Sequence, residues 1–170
     1  MPTPTIRPAT HGYVFPASSS QQRLWFLDRL APGQASYHVP AAVRIETAVD
    51  RRALQCAVDG LVRRHESLRT SFAEVDGRLL QVVAARCRVP LRVIETGPLS
   101  TDEVERLVAQ EARLPFDLGR PSLFRVVLLS ESASRHVLVV TCHHSIADVP
   151  VGNRALAVVP PAGAVPSSGS

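Results

Sequence analysis

Lysine is absent from this 170-residue chain, and all 19 of its basic residues are arginine. Aromatic residues are scarce, at 5%, with one Trp and two Tyr. The net charge of +4 would otherwise point to nucleic acid. The arginines are scattered, however, and adjacent only at Arg51–Arg52 and Arg63–Arg64. No aromatic residues alternate with them to stack bases, so nucleic acid is not an expected partner. Cysteine is also sparse. Cys56, Cys87 and Cys142 are odd in number and show no CxxC spacing, which excludes full internal pairing and a conventional zinc site. No run of eighteen apolar residues exists, which argues against a membrane-spanning helix. The first sixteen residues, MPTPTIRPATHGYVFP, lack the charged start and apolar block of a secretory signal. These absences together lead us to expect a cytoplasmic chain with no membrane partner.

What is present is enough apolar sequence for one core: 45% of residues are hydrophobic and 20% charged. Three textures divide the chain. Residues 1–15 form a Pro- and Thr-rich lead-in expected to be flexible, residues 16–148 carry helix and strand signals, and 149–170 hold four prolines and read as an irregular tail.

Within the middle region, Ser18 to Ser20 cap a helix over QQRLWFLDRL that Pro32-Gly33 closes. Val39 to Ile45 reads as a strand. Asp50 caps a second helix whose apolar stripe is Leu54, Ala57, Val58, Leu61 and Val62. Gly60 within it marks a candidate close approach. Asp76-Gly77 between RTSFAEV and RLLQVVA is a two-residue hairpin signal, and Leu91 to Glu95 forms a short strand. Ser100 and Glu103 make a capping box for a third helix with Val104, Leu107 and Val108 inward. The apolar runs 123–129 and 136–141 read as a buried antiparallel pair. Irregular alternation with hairpins predicts an α+β fold, a layered α/β sandwich with a mixed sheet.

Candidate chemistry concentrates at the end of the last run, Cys142-His143-His144 followed by Ser145-Ile146-Ala147-Asp148. Side chains alternate along a strand, so His143 and His144 point to opposite faces and cannot readily share a metal. Either histidine is suited to general-base work near neutral pH. By spacing alone, two histidines that merely complete a strand end are the commoner case.

The segment HHSIAD (143–148) resembles the HHxxxDG motif of the condensation domains of nonribosomal peptide synthetases. Four further segments follow in the family's order. SSSQQRLWFL (18–27) looks like its opening Ser-x-Ala-Gln-x-Arg-Leu-Trp motif, and YHVP (37–40) is similar to Tyr-Asn-x-Pro. RRHESLRTSF (63–72) matches Arg-His-Glu-x-Leu-Arg-Thr-x-Phe, and LPFDLGRPSLFRVVLL (114–129) resembles the Pro-Phe-Asp-Leu stretch. The resemblance implies a single chloramphenicol acetyltransferase-like lobe, one of two that meet at a tunnel. It implies an amide-forming acyltransferase reaction in which His144 faces the reaction centre, His143 packs behind it and Asp148 is a structural carboxylate. Arg64 is the first candidate partner for Asp148 and Arg69 the second, since Arg offers a bidentate fork. The partners implied are peptidyl or aminoacyl carrier proteins, whose phosphopantetheine arms bring the substrates, and adenylation domains; the domain itself needs no cofactor.

Val149 stands where the family has glycine, Pro150 follows, and nothing beyond resembles the family. A truncated condensation domain, inactive alone, is therefore the expectation. Two alternatives remain: a non-catalytic remnant that binds carrier proteins, and a small oligomeric acetyltransferase with its site between subunits.

Overall fold

A computed structural model describes residues 12–147 and the strand Leu156–Val159. Three helices and eight strands follow one another as β1 (Tyr13–Pro16), α1 (Ser19–Leu30), β2 (His38–Ile45), α2 (Arg51–Arg64), β3 (Thr70–Val75), β4 (Arg78–Val83), β5 (Leu91–Glu95), α3 (Thr101–Arg113), β6 (Phe124–Ser130), β7 (His136–His143) and β8 (Leu156–Val159). One sheet has five strands in the order β5-β6-β7-β2-β8 and the other three in the order β1-β4-β3. The large sheet is mixed: β5–β6 and β2–β8 are parallel, whereas β6–β7 and β7–β2 are antiparallel. The fold is α+β, as the sequence predicts.

The central strands β6 and β7 are covered on both faces, and their apolar runs follow from that. Val127, Leu129, Val137 and Val139 pack with Val104 of α3 on one face. Phe124, Val126, Leu138 and Val140 alternate with them and pack with Val58 and Val62 of α2 on the other. A third cluster, built on Phe72, Phe116, Leu118 and Leu123, joins the small sheet to Trp25 of α1.

Local signals explain the elements. Ser18 and Ser100 both complete capping boxes with Gln21 and Glu103, and Asp50 accepts from the backbone of Arg52 and Ala53. Asp76 and Gly77 both sit at positive φ, 49° and 73°, which closes the β3–β4 hairpin tightly.

The structure corrects four details. Residues 13–15, placed in the flexible lead-in, belong to β1 and pair antiparallel with β4, because Tyr-Val-Phe is strand-forming and β4 offers an edge. Residues 156–159, placed in the irregular tail, form a strand beside β2, whose edge accepts the apolar Leu-Ala-Val-Val; the remainder of 149–170 lies outside the described residues. The α2 stripe is rotated, leaving Leu61 48% exposed while Val58 and Val62 are buried. Gln55 takes the inward place, donating to the Val89 carbonyl at 3.0 Å and accepting from the Leu91 amide at 2.7 Å. Gly60 faces open space, and the close approach lies at Gly12, where a Cβ would meet the Val83 carbonyl oxygen at 2.5 Å.

Candidate functional site

The end of β7 separates the paired histidines, as strand alternation requires. His143 shares the α3-facing side with Val137 and Val139 and is 2% exposed. Its ring lies among those of His38, Tyr37 and Phe116, at centroid distances of 5.7, 6.4 and 6.4 Å. The Ser145 amide donates to His143 Nδ1 at 3.2 Å, and the Ser145 hydroxyl lies 2.8 Å from the same atom. Burial, reinforced by the neighbouring His38 and His144, holds the His143 imidazole down to about 4.

His38 enters from β2, directly opposite His143 in the ladder. Its Nδ1 donates to the Ala112 carbonyl at 2.6 Å, near the end of α3. Phe116 meets its ring edge-on at 4.9 Å, and the Arg125 guanidinium covers Phe116 at 3.9 Å. Burial also lowers the His38 pKa, and the Arg125 charge adds to the effect, while the Ala112 bond and Asp28 oppose it. The Pro-Phe-Asp-Leu segment therefore supplies the aromatic wall of a buried histidine pair.

His144 opens a 3₁₀ turn, His144–Ile146, and points the other way. It lines a cavity of about 430 Å³ together with Ser18, Gln21, Ser67, Thr70 and Gln81. Its Nδ1 is buried and has no hydrogen-bond partner among the described residues, so Nε2 is the ring nitrogen that faces a molecule in the cavity. Gln21 ties this turn to the rest of the wall: its Nε2 donates to the Ser145 carbonyl at 3.3 Å and to Gln81 Oε1 at 2.7 Å.

The remaining candidates separate. Asp148 lies outside the described residues, as does Val149. Arg64 is exposed on the last turn of α2. Arg69 is buried, 9% exposed, and donates to the carbonyls of Val62 at 3.1 Å, Ala85 at 3.4 Å and Ala84. Its guanidinium thus stitches α2 to the chain following β4. Sequence reasoning passed over His38, Gln21, Gln81 and Ser145. The YHVP and SSSQQRLWFL segments contain two of them, but their meaning depends on strand register and cap geometry that spacing does not reveal. Among the described residues no group of three or more His, Cys, Asp or Glu is arranged to hold a metal, and no helix is long and apolar enough to cross a membrane.

Comparison with known proteins gives a consistent picture. The family model described as "Condensation domain" matches residues 13–150. Chondramide synthase cmdD of Chondromyces crocatus is 39% identical over 146 residues, covering 84% of this chain and 4% of that protein. Tyrocidine synthase 3 of Brevibacillus parabrevis is 38% identical over 144 residues, covering 85% of this chain and 2% of that protein. The chain thus spans only a few per cent of the length of these relatives. Among solved structures, the starter condensation domain of rhizomide synthetase superposes with a TM-score of 0.71 at 18% identity, covering 78% of this chain and 34% of that one. The first condensation domain of the CDA synthetase gives 0.69 at 22% identity, with 78% and 34% covered.

Proposed function

The chain belongs to the condensation-domain family of nonribosomal peptide synthetases, and on that premise we propose that its described residues are the histidine-bearing lobe of an amide-forming acyltransferase. The observation that carries this reading is the placement of His144 on a polar cavity while its neighbour His143 is buried. In the reaction, the amine nitrogen of an acceptor aminoacyl thioester attacks the carbonyl carbon of a donor acyl thioester. A C–N bond forms, the C–S bond breaks, the donor thiol leaves, and the amine gives up a proton.

His144 Nε2 acts in one of two ways. As a general base it takes the amine proton; as an orienting group it holds the amine and stabilises charge in the tetrahedral intermediate. By the family resemblance Asp148 is a structural carboxylate that does no chemistry itself, and Arg69 braces the segment between α2 and β3. The substrates arrive on phosphopantetheine arms of carrier proteins loaded by adenylation domains, and the lobe holds no cofactor of its own. The second wall of the tunnel comes from a complementary lobe, because one lobe presents His144 from one side only.

The test mixes this chain with the C-terminal lobe of a condensation domain and with donor and acceptor carrier proteins loaded with thioesters. Amide product in a single turnover, lost on His144→Ala, is the expected result. Product that is unchanged by His144→Ala overturns the reading.

A further inference from the structure

Resting on the acyltransferase reading above, we propose that Gln81 is a substrate-binding residue whose side-chain amide donates a hydrogen bond to the thioester carbonyl oxygen in the His144 cavity. The orientation of its carboxamide is fixed by its neighbour. Gln21 Oε1 accepts from the Ser18 backbone amide at 2.9 Å, so Gln21 Nε2 is the atom facing the Ser145 carbonyl and Gln81. Gln81 must then present Oε1 to Gln21, at 2.7 Å, and turn its own Nε2 away. Among the described residues that Nε2 has no acceptor, and Gln81 lines the same cavity as His144.

Two further observations make it a preorganised donor. Gln81 lies in β4, the central strand of the small sheet, and is paired with Phe15 on one side and Phe72 on the other. Its backbone is therefore held from both edges. Among the described residues the cavity lining contains serine and threonine hydroxyls, carboxamides, the His144 imidazole and the apolar Leu24 and Ile146, but no Asp, Glu, Lys or Arg. Such a wall offers hydrogen bonds and no carboxylate, ammonium or guanidinium, which suits a neutral, acceptor-rich ligand. A thioester with its carbonyl oxygen meets that requirement, and the shared cavity brings this carbonyl to the side where His144 acts.

The test uses the isotopically labelled chain titrated with S-acetyl-N-acetylcysteamine, a neutral acyl thioester, and with its S-ethyl thioether analogue, which lacks the acyl carbonyl. Nuclear magnetic resonance follows the Gln81 side-chain amide and the His144 ring. Gln81→Glu keeps the oxygen that accepts from Gln21 but replaces the donor with a second, charged acceptor; Gln81→Met is the neutral control, and thermal midpoints verify folding. The expected result is a thioester-dependent shift of the Gln81 amide, with affinity about three- to tenfold weaker for both variants and for the thioether. A thioester that shifts His144 but binds wild type and both variants equally overturns the role of Gln81 while the proposed function stands. A thioester that perturbs neither residue at saturating concentration removes the thioester reading of the cavity, and this assignment with it.

Discussion

His38 and His143 stand directly opposite each other in the β2–β7 ladder, their rings 5.7 Å apart and inclined at 69°. Their tautomers are opposed. His38 Nδ1 faces a carbonyl and so carries its proton, whereas His143 Nδ1 faces the Ser145 amide and so accepts. Both rings are buried, and a proton added to either would sit beside the other. The pair is stable only as two neutral imidazoles.

A pH dependence of stability follows directly. Burial holds His143 down to about 4, below its unfolded value near 6.5. Between those values the unfolded chain binds a proton that the folded chain does not, so stability is full above about 6.5 and falls as pH drops towards 4. One such proton gives a slope of about 1.4 kcal/mol per pH unit. His38, lowered for the same reason, steepens it. Urea unfolding at stepped pH should show this slope, and His143→Asn should flatten it; an unchanged slope in the variant refutes the assignment.

The two arginines of the RHESLRT segment should behave differently. Arg69→Ala strips donors from the carbonyls of Val62, Ala84 and Ala85 and is expected to cost about 2–4 kcal/mol. Arg64→Ala removes an exposed side chain and should stay within about 0.5 kcal/mol of wild type. Paired chemical denaturation curves measure both.

Core and surface leucines give a sharper contrast. Leu128 is fully buried in β6, so Leu128→Ala should cost about 2–5 kcal/mol. Leu61 is 48% exposed and its truncation should cost well under about 1 kcal/mol. Gly60→Ala should stabilise by about 0.5–1 kcal/mol, because a Cβ there meets nothing within 4 Å and helix propensity alone decides the sign.

These contrasts mark where sequence reading reached its limit. Caps, the Asp76-Gly77 turn and the β6–β7 pair were legible because each is a local signal with one dominant cause. The opposed faces of His143 and His144 were legible for the same reason, since alternation is intrinsic to a strand. The α2 stripe was not, because Gln55 satisfies the exposed backbone of the β5 entry and so turns a polar residue inward at the expense of Leu61. β1 was hidden by its length, four residues paired with the edge of β4. His38 was hidden by register: nothing local says that position 38 faces position 143.

The final prediction concerns turnover by the 170-residue chain on its own. Condensation requires two carrier-bound thioesters in near-attack geometry, and that positioning supplies much of the rate. The described lobe offers His144 and a polar wall built from α1, β4 and the 3₁₀ turn before β3. It holds one reactant from one side. Without an opposing wall the second reactant is not held against the first, and a base such as His144 Nε2 meets no aligned amine. Supplied with loaded donor and acceptor carriers, the isolated chain should therefore form no amide above the background of buffer, and adding the complementary lobe should raise product. Mass spectrometry of the acceptor carrier reads the outcome. Amide formed by the isolated chain and abolished in His144→Ala would show that this chain suffices, and would favour the site-between-subunits arrangement over a truncated, inactive lobe.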